Sequence, residues 1–220
     1  MRKQYVFDLD DTLYREIDFV RSGFRFIAHE LQKLYGFDCA PLFSQALKDR
    51  NFGNVFQEII KRYSLPQSTM DFMLSAYRYH YPDIQSRKNV IEVLESLSVS
   101  DGPLLCITDG RSLTQRQKLH ALRVDQYFAN VFISEETGYS KPDYEIYELL
   151  MENHPAEVYY YIGDNPSKDF VMANKLDWKT IGIFDDGEHI HSQNDQKDEV
   201  YQPHYWVNDF FELQDLIGEL

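Results

Sequence analysis

The chain has 220 residues and a formal net charge of −14, from 22 Lys and Arg against 36 Asp and Glu. Such an acidic chain is a poor non-specific binder of nucleic acid or of an anionic membrane, because its field repels phosphate. No apolar run is long enough to span a membrane, and the first residues leave no room for a signal peptide. Two cysteines, Cys39 and Cys106, are too few for a disulfide framework, so we expect a reducing, cytoplasmic location.

The first predicted element is a short buried strand over residues 5–9, which ends in acidic residues. The stretch from Tyr14 to Tyr81 has no convincing strand. It carries apolar side chains at helical spacing, beginning with Phe19, Phe24 and Ile27. We therefore predict an all-helical domain over residues 15–81, inserted into a second domain that consists of residues 1–14 and 82–220.

Strand and helix patterns alternate over residues 88–184, which is typical of a parallel sheet with helices on both faces. The apolar runs that predict strands cover residues 104–107, 131–133, 158–162 and 180–184, and a helix is predicted over residues 112–122. The fold class is therefore α/β. Because crossovers between parallel strands are right-handed, the carboxyl ends of these strands meet at one edge of the sheet.

The end of the chain has a different composition. Residues 185–202 are polar and rich in His, Asp and Gln, and they are predicted to form a mobile loop. His189 and His191 lie in this loop and are predicted to be solvated. Residues 205–207 are predicted to form a final edge strand, and residues 210–220 a closing amphipathic helix.

Two carboxylates stand at the end of the first strand, in Asp8-Leu9-Asp10-Asp11-Thr12. Open α/β sheets bind their ligands at this edge. Alternation along an extended segment points Asp8 and Asp10 to the same side, where two like charges need a cation or a proton to coexist. Carboxylate oxygens are the ligands that Mg²⁺ prefers. The segment therefore indicates a magnesium site.

Polar residues also follow the later strands. Thr108 closes the second strand, Lys141 lies in Ser-Lys-Pro-Asp, and Asp164 and Asp169 follow the fourth strand. Singly, each is typical of a cap, a solvated charge or a turn. Their order along the chain, at successive strand ends, favours a shared site.

With these four motifs in order, the chain resembles the haloacid dehalogenase superfamily, and its helical insertion resembles that superfamily's C1 type of cap. The resemblance covers the chain up to about Phe184. It implies a Rossmann-like parallel-sheet core with an inserted all-helical cap domain. It also implies a cap that opens and closes over the site, which favours small substrates.

The resemblance implies a role for each motif residue. Asp8 would be the nucleophile that forms a phospho-aspartyl intermediate, and Asp10 the general acid and then base. Thr108, with backbone N–H groups near Asp109 and Gly110, would bind the phosphoryl group. Lys141 would neutralise both Asp8 and that group.

The resemblance also implies a Mg²⁺ cofactor, held by a carboxylate oxygen of Asp8, the backbone carbonyl of Asp10 and a carboxylate oxygen of Asp164. Asp169 would support this set from outside, by holding a metal-bound water or Lys141. Four carboxylates and an incoming phosphate need a divalent cation beside the single lysine. The same crowding of charge predicts a raised pKa for Asp10.

An acid at position 10 favours hydrolysis of a phosphate monoester, since the dehalogenases of this superfamily lack it. The predicted substrate is a small phosphorylated metabolite, a sugar phosphate or a nucleotide. Arg15 and Arg21 are candidates for holding a second anionic group, and Arg111 is a further possible contact, although solvated helix charges are the alternative. The oligomeric state cannot be predicted from the sequence.

Three alternatives stay open. A phosphomutase of the β-phosphoglucomutase type would use the same residues, provided that its phospho-aspartate outlives attack by water. A non-catalytic phosphate-binding relative would have the same fold. A response-regulator receiver is disfavoured, because its acceptor aspartate ends the third strand rather than the first.

Overall fold

A computed structural model describes residues 2–100, 102–193 and 198–220. The chain divides into two compact units, Met1–Ile17 with Gln85–Leu220, and Asp18–Ile84. The domain boundaries expected from the sequence lie three residues earlier, at 14/15 and 81/82. None of the helices in the described part of the chain is long and apolar enough to cross a membrane.

The larger unit is built on a six-stranded sheet of order β3-β2-β1-β4-β5-β6, in which every neighbouring pair is parallel. The strands are β1 (Lys3–Phe7), β2 (Leu104–Thr108), β3 (Phe128–Ile133), β4 (Val158–Gly163), β5 (Lys179–Ile183) and β6 (Tyr205–Val207). This topology confirms the predicted α/β class and the predicted edge strand. All five residues of β2 are buried, as expected for a parallel strand that is covered on both faces.

Ten α-helices lie in the described residues. They are α1 (Glu16–Tyr35), α2 (Ala40–Lys48), α3 (Val55–Tyr63), α4 (Ser68–Tyr79), α5 (Val90–Ser100), α6 (Ser112–Leu122), α7 (Ser134–Thr137), α8 (Tyr144–Asn153), α9 (Phe170–Lys175) and α10 (Phe210–Glu219). The bounds of α6 match the prediction. Short 3₁₀ turns cover Asp125–Tyr127 and Glu199–Tyr201.

Side-chain alternation along the strands builds the core of the larger unit. On one face of the sheet, Val6 of β1 and Tyr161 of β4 pack in a cluster with Tyr147 of α8 and Phe170 of α9. Residues one position along the strands point to the other face, where the rings of Tyr5 and Tyr160 stack at 4.9 Å. Both faces are therefore buried, and polar side chains are left to the strand ends.

The smaller unit is helical, with an aromatic core. Phe24 of α1 stacks on Phe43 of α2 with ring centroids 4.5 Å apart, and it makes edge contacts with Phe52 and Phe56. Within this unit, the hydroxyl of Ser22 joins α1 to the end of α4 through His80. The abundant aromatic residues of this stretch thus form its core.

The prediction of a mobile loop is wrong for the part of it that lies beside the sheet. Residues 185–193, which we call the 185–193 segment, are tied to the core by hydrogen bonds, and His189 is only 2% exposed. The solvated state predicted for His189 is therefore wrong. Positions 194–197 of the predicted loop lie outside the described residues.

Candidate active site

The strand ends bring the predicted polar residues to one place. Asp8 follows β1, Thr108 is the last residue of β2, and Asp164 follows β4. A cavity of about 110 Å³ at this edge of the sheet is lined by Asp8, Asp10, Thr108, Lys141, Asp164 and Asp169, among others. The parallel topology explains this convergence, because the carboxyl ends of neighbouring parallel strands share one edge.

Lys141 joins two carboxylates of the cavity lining. Its Nζ donates to Asp8 Oδ1 at 2.5 Å and to Asp169 Oδ1 at 2.7 Å, and all three side chains are buried. Burial alone would lower the pKa of Lys141, but the carboxylates of Asp169 and Asp8 raise it well above its ordinary value. Lys141 therefore carries a permanent positive charge beside Asp8.

The acids around Lys141 outnumber it. Burial raises the pKa of Asp8 and of Asp164 well above the ordinary range, and Asp169 adds to both shifts by repulsion. Oxygens of Asp8, Asp164 and Asp169 lie within 4.8 Å of one another. This buried excess of negative charge on oxygen ligands fits a divalent cation such as Mg²⁺.

Hydrogen bonds distinguish the members of this acidic cluster. Asp169 Oδ2 accepts from the backbone N–H groups of Asp164 and Asn165, and its Oδ1 accepts from Lys141 and Tyr161. Both of its oxygens are thus engaged, which suits a supporting role rather than a direct ligand. Asp8 and Asp164 are bridged by the Thr12 hydroxyl, 3.5 Å and 3.2 Å from their oxygens.

Asp10 occupies a separate polar pocket. Its Oδ1 accepts from Lys118 Nζ at 2.7 Å and from the Tyr14 hydroxyl at 2.5 Å, and its Oδ2 accepts from Gln115 Nε2 at 2.8 Å. Burial alone would raise the pKa of Asp10, but the Lys118 ammonium and these hydrogen bonds hold it below its ordinary value. The raised pKa predicted from the sequence is therefore wrong.

Sequence reasoning missed the contribution of α6. Lys118 and Gln115 are three residues apart, so they share one face of the helix, and both are buried. Gln115 Nε2 also donates to Thr108 Oγ1 at 2.6 Å. A lysine and a glutamine at this spacing, on the helix that follows the Thr108 strand, were the signal that could have identified them.

The 185–193 segment contacts the loop that follows β1. Ile190 N donates to Asp11 Oδ2 at 2.8 Å, while Asp11 Oδ1 accepts from Glu16 N at 2.7 Å. His189 Nδ1 lies 3.4 Å from Asp164 Oδ2, and His191 lines the cavity. The segment therefore borders the site and contributes His191 to the lining of the cavity.

The predicted substrate contacts of the larger unit occupy different places. Asp109 lines the cavity, and its Oδ1 accepts from Lys141 N at 3.0 Å. Gly110 N donates to Ser134 Oγ at 2.9 Å, so this N–H is already engaged. Arg111 pairs with Glu135 at 3.4 Å. Gly110 and Arg111 are not among the described residues that line the cavity.

The two other predicted arginines are also paired. Arg15 binds Asp186 of the 185–193 segment at 2.7 Å and is absent from the described lining of the cavity. Arg21 belongs to the smaller unit, where its Nη1 donates to Asp18 at 2.8 Å. Both pairs are accessible to solvent, which makes them weak.

The chain is similar in sequence to known proteins. A family model described as haloacid dehalogenase-like hydrolase matches residues 5–183. A glyceraldehyde 3-phosphate phosphatase of Methanocaldococcus jannaschii is 28% identical over 100% of this chain and 99% of its own. A protein of the same name from Pyrococcus abyssi is 25% identical over 82% of this chain and 81% of its own.

Solved structures share the fold. The protein YfnB from Bacillus subtilis, described as a HAD-hydrolase and bound to magnesium, superposes with a TM-score of 0.69. Its sequence is 18% identical, and the match covers 99% of this chain and 100% of YfnB. At this identity the likeness concerns the fold alone.

Proposed function

Because the chain belongs to the haloacid dehalogenase-like hydrolase family, we propose that it is a phosphatase that hydrolyses the phosphate monoester of a small sugar phosphate. The observation that carries this proposal is the pair of acids in one cavity, each beside a buried lysine: Asp8 beside Lys141 and Asp10 beside Lys118. In this proposal, Asp8 attacks phosphorus and Asp10 moves protons.

In the first step, a carboxylate oxygen of Asp8 attacks phosphorus and the bond from phosphorus to the ester oxygen breaks. The leaving alcohol takes a proton from Asp10. Lys141 balances the charge of Asp8 and of the phosphoryl oxygens, and the Thr108 hydroxyl donates a hydrogen bond to one of them. The product is a phospho-aspartyl group on Asp8.

In the second step, a water molecule attacks the phospho-aspartyl phosphorus and gives its proton to Asp10. The bond from phosphorus to the Asp8 oxygen breaks, and inorganic phosphate is released. The lowered pKa of Asp10 suits this step, because an ionised carboxylate is ready to accept the proton. A phosphate dianion in the cavity raises that pKa by repulsion, so Asp10 can hold the proton that the first step needs.

The acidic cluster is proposed to hold Mg²⁺ through Asp8, Asp164 and the backbone carbonyl of Asp10, with Asp169 in support. When bound, the cation would neutralise the carboxylates and polarise the phosphoryl oxygens. The geometry around Asp169 supports this division of roles, since its oxygens already accept four hydrogen bonds.

The names of the relatives support a finer proposal for the substrate. Two archaeal proteins that match most of the chain are glyceraldehyde 3-phosphate phosphatases. We therefore propose glyceraldehyde 3-phosphate, or a triose phosphate like it, as the substrate. The predicted cytoplasmic location is part of the same proposal, and it is supported by two buried, free thiols at Cys39 and Cys106.

The test is release of inorganic phosphate from para-nitrophenyl phosphate and from glyceraldehyde 3-phosphate, with Mg²⁺ or with a chelator. We expect Mg²⁺-dependent release, and an Asp8→Asn variant slower by about a thousandfold or more, since the nucleophile is lost. Asp215→Asn, an exposed aspartate of α10, is the matched control and should keep the wild-type rate.

Full turnover in chelator would refute the proposed dependence on Mg²⁺. An active Asp8→Asn variant would refute the proposal that Asp8 is the nucleophile. Phosphate transfer between two sugar positions without release of inorganic phosphate would identify the phosphomutase alternative. A chain that binds phosphate esters and converts none of them would be the non-catalytic alternative.

A further inference from the structure

The 185–193 segment makes contacts at the site that the mechanism above does not use. It follows β5 in the chain, and its hydrogen bonds reach the loops that follow β1 and β4. Ile190 N donates to Asp11 Oδ2 at 2.8 Å, and Gln193 Nε2 donates to the backbone carbonyl oxygen of Asp164 at 2.8 Å. Each of these loops carries an acid that is proposed to hold Mg²⁺. The segment is therefore placed to fix the positions of those acids.

The amide of Gln193 ties the backbone of Asp164 to the end of β5. Its Nε2 donates to the carbonyl oxygens of Asp164 and Ile183, each at 2.8 Å. Its Oε1 accepts from Asp185 N at 2.9 Å. The nitrogen and the oxygen of the amide are thus both engaged, which fixes the orientation of the side chain. Because Ile183 is the last residue of β5, Gln193 fixes the Asp164 backbone relative to the sheet.

His189 approaches the carboxyl group of the same aspartate. Its Nε2 is in hydrogen-bond contact with Arg87 Nη2. Because an arginine can only donate, Nε2 is the accepting nitrogen and the ring proton lies on Nδ1. That Nδ1 lies 3.4 Å from Asp164 Oδ2, and Asp164 Oδ1 accepts from the Thr12 hydroxyl at 3.2 Å. Asp164 therefore has a polar group beside each of its carboxylate oxygens.

Arg87 anchors the segment to the loop that follows β1. Its Nη1 donates to Asp186 Oδ2 at 2.9 Å, and its Nη2 donates to the backbone carbonyl oxygen of Asp11 at 2.9 Å. The side chain of Arg87 is only 12% exposed, so solvent and salt screen these contacts little. Arg15 adds a second pair with Asp186 at 2.7 Å. The segment is thus held at several points within the larger unit.

We propose that Gln193 and His189 are positioning residues, which hold Asp164 in the arrangement that binds Mg²⁺. The inference rests on the metal site of the proposed function. Groups that orient a metal ligand from outside the coordination sphere raise metal affinity, because the ligand is already ordered when the metal arrives. Gln193 acts through the backbone of Asp164, and His189 acts through its carboxyl group. Neither residue is among the described residues that line the cavity, so neither touches the reacting atoms.

Binding of Mg²⁺ without substrate tests this inference. Gln193→Met keeps the length of the side chain and removes its amide, and His189→Leu removes the ring proton. We expect each change to raise the Kd for Mg²⁺ by about tenfold or more, measured by calorimetric titration of the metal-free chain. The Mg²⁺ concentration that gives half the maximal rate should rise by a similar factor. The kcat at saturating Mg²⁺ should stay within about threefold of wild type.

Two further variants serve as controls. Gln214→Met, at an exposed glutamine of α10, should bind Mg²⁺ with the wild-type Kd. His189→Asn keeps an N–H donor in place of Nδ1, so its Kd should lie closer to the wild-type value than that of His189→Leu. Urea titration in chelator measures the free energy of unfolding of each variant. A purely structural role would lower that free energy and leave the Kd of the folded chain unchanged.

A folded Gln193→Met or His189→Leu variant with the wild-type Kd would overturn the inference and leave the metal site and the phosphatase proposal standing. If the wild-type chain binds no Mg²⁺, the inference falls together with the metal site, and phosphate release in chelator decides the phosphatase proposal separately. A chain that binds Mg²⁺ but hydrolyses no monoester refutes the phosphatase proposal alone, because the titration needs no turnover.

One measurement needs no variant that could fail to fold. The ¹⁵N chemical shifts of the His189 ring in the wild-type chain show which nitrogen carries the proton. We expect the proton on Nδ1. A proton on Nε2 alone would overturn the inference, because Nδ1 would then have no proton to direct at Asp164.

Discussion

Each of the two acids of the site has a buried lysine beside it, yet the pKa values of the two acids are shifted in opposite directions. Lys141 donates to Asp8 at 2.5 Å and Lys118 donates to Asp10 at 2.7 Å, and each lysine side chain is 5% exposed or less. Yet the pKa of Asp8 is raised well above its ordinary value, whereas the pKa of Asp10 is lowered.

The difference lies in the carboxylates that repel Asp8 and in the hydrogen-bond donors that surround Asp10. Lys141 is divided between Asp8 and Asp169, and Asp164 adds a further repulsion to Asp8. Lys118 serves Asp10, which also accepts hydrogen bonds from Tyr14 and Gln115. A lysine beside an aspartate thus does not by itself decide which form of the acid is stable. Asp8 is therefore short of positive charge, whereas the donors around Asp10 keep it ionised.

The largest effect is expected at Lys141, which lies among three buried carboxyl groups. Lys141→Met leaves Asp8, Asp164 and Asp169 buried together without a cation. We expect phosphate release to fall by about a thousandfold or more, and the free energy of unfolding in chelator to fall by about 3 kcal/mol. Steady-state kinetics and urea titration measure the two quantities. Lys175→Met, an exposed lysine of α9, is the control.

Measuring the stability of Lys141→Met with Mg²⁺ as well as with chelator tests this prediction further. Saturating Mg²⁺ should restore part of the stability of Lys141→Met, because the added cation replaces the lost charge. Equal losses with Mg²⁺ and with chelator would argue against a cation site at these three acids.

The next largest effect is expected at Lys118, the cation beside Asp10. In Lys118→Met, burial acts on Asp10 without its cation, so the pKa of Asp10 rises. An acid that works as a base is active above its pKa, and its activity is lost as the pH falls through that value. The acid limb of the kcat profile should therefore move to higher pH. We also expect kcat to fall by about a hundredfold at neutral pH, within the range of a general acid–base contribution.

The Lys118→Arg variant distinguishes the effect of the positive charge on Asp10 from the effect of the shape of the side chain. It keeps the positive charge, so its acid limb should stay near that of the wild-type chain even if kcat falls. If Lys118→Met and the wild-type chain share the same limb, Lys118 does not control the ionisation of Asp10.

A smaller effect is expected for the neutral partner of Asp10. Gln115→Leu removes the hydrogen bonds to Asp10 Oδ2 and to Thr108 Oγ1. A bond to a charged group contributes about 1.5–3 kcal/mol, so kcat/KM should fall by about ten- to a hundredfold. Gln214→Leu, an exposed glutamine of α10, should have no effect. A wild-type rate in Gln115→Leu would mean that Lys118 and Tyr14 suffice to position Asp10.

The smallest effect is expected at Arg111, the predicted substrate contact that pairs with Glu135 outside the described cavity lining. Both side chains of that pair are nearly half exposed, at 45% and 48%. Arg111→Ala should therefore change KM by no more than about twofold and the unfolding free energy by less than about 1 kcal/mol. A tenfold rise in KM would instead support the predicted contact with substrate.

The sequence was sufficient for the parts of the site that depend on local pattern and topology. Buried apolar runs identified the strands, and parallel pairing then required Asp8, Thr108 and Asp164 to share one edge of the sheet. Lys141 could be added from its motif. None of this needed knowledge of side-chain packing, because backbone direction alone brings these strand ends together.

Only the tertiary structure decided which side chains complete the cavity. Lys118 reaches Asp10 across 108 positions of the chain, and Ile190 reaches Asp11 across 179. Such contacts depend on how α6 and the 185–193 segment pack against the strand ends, and neither periodicity nor composition contains that information. The polar composition of the segment predicted mobility. His189 is nevertheless buried, with its Nε2 hydrogen-bonded to Arg87 and its Nδ1 3.4 Å from Asp164 Oδ2.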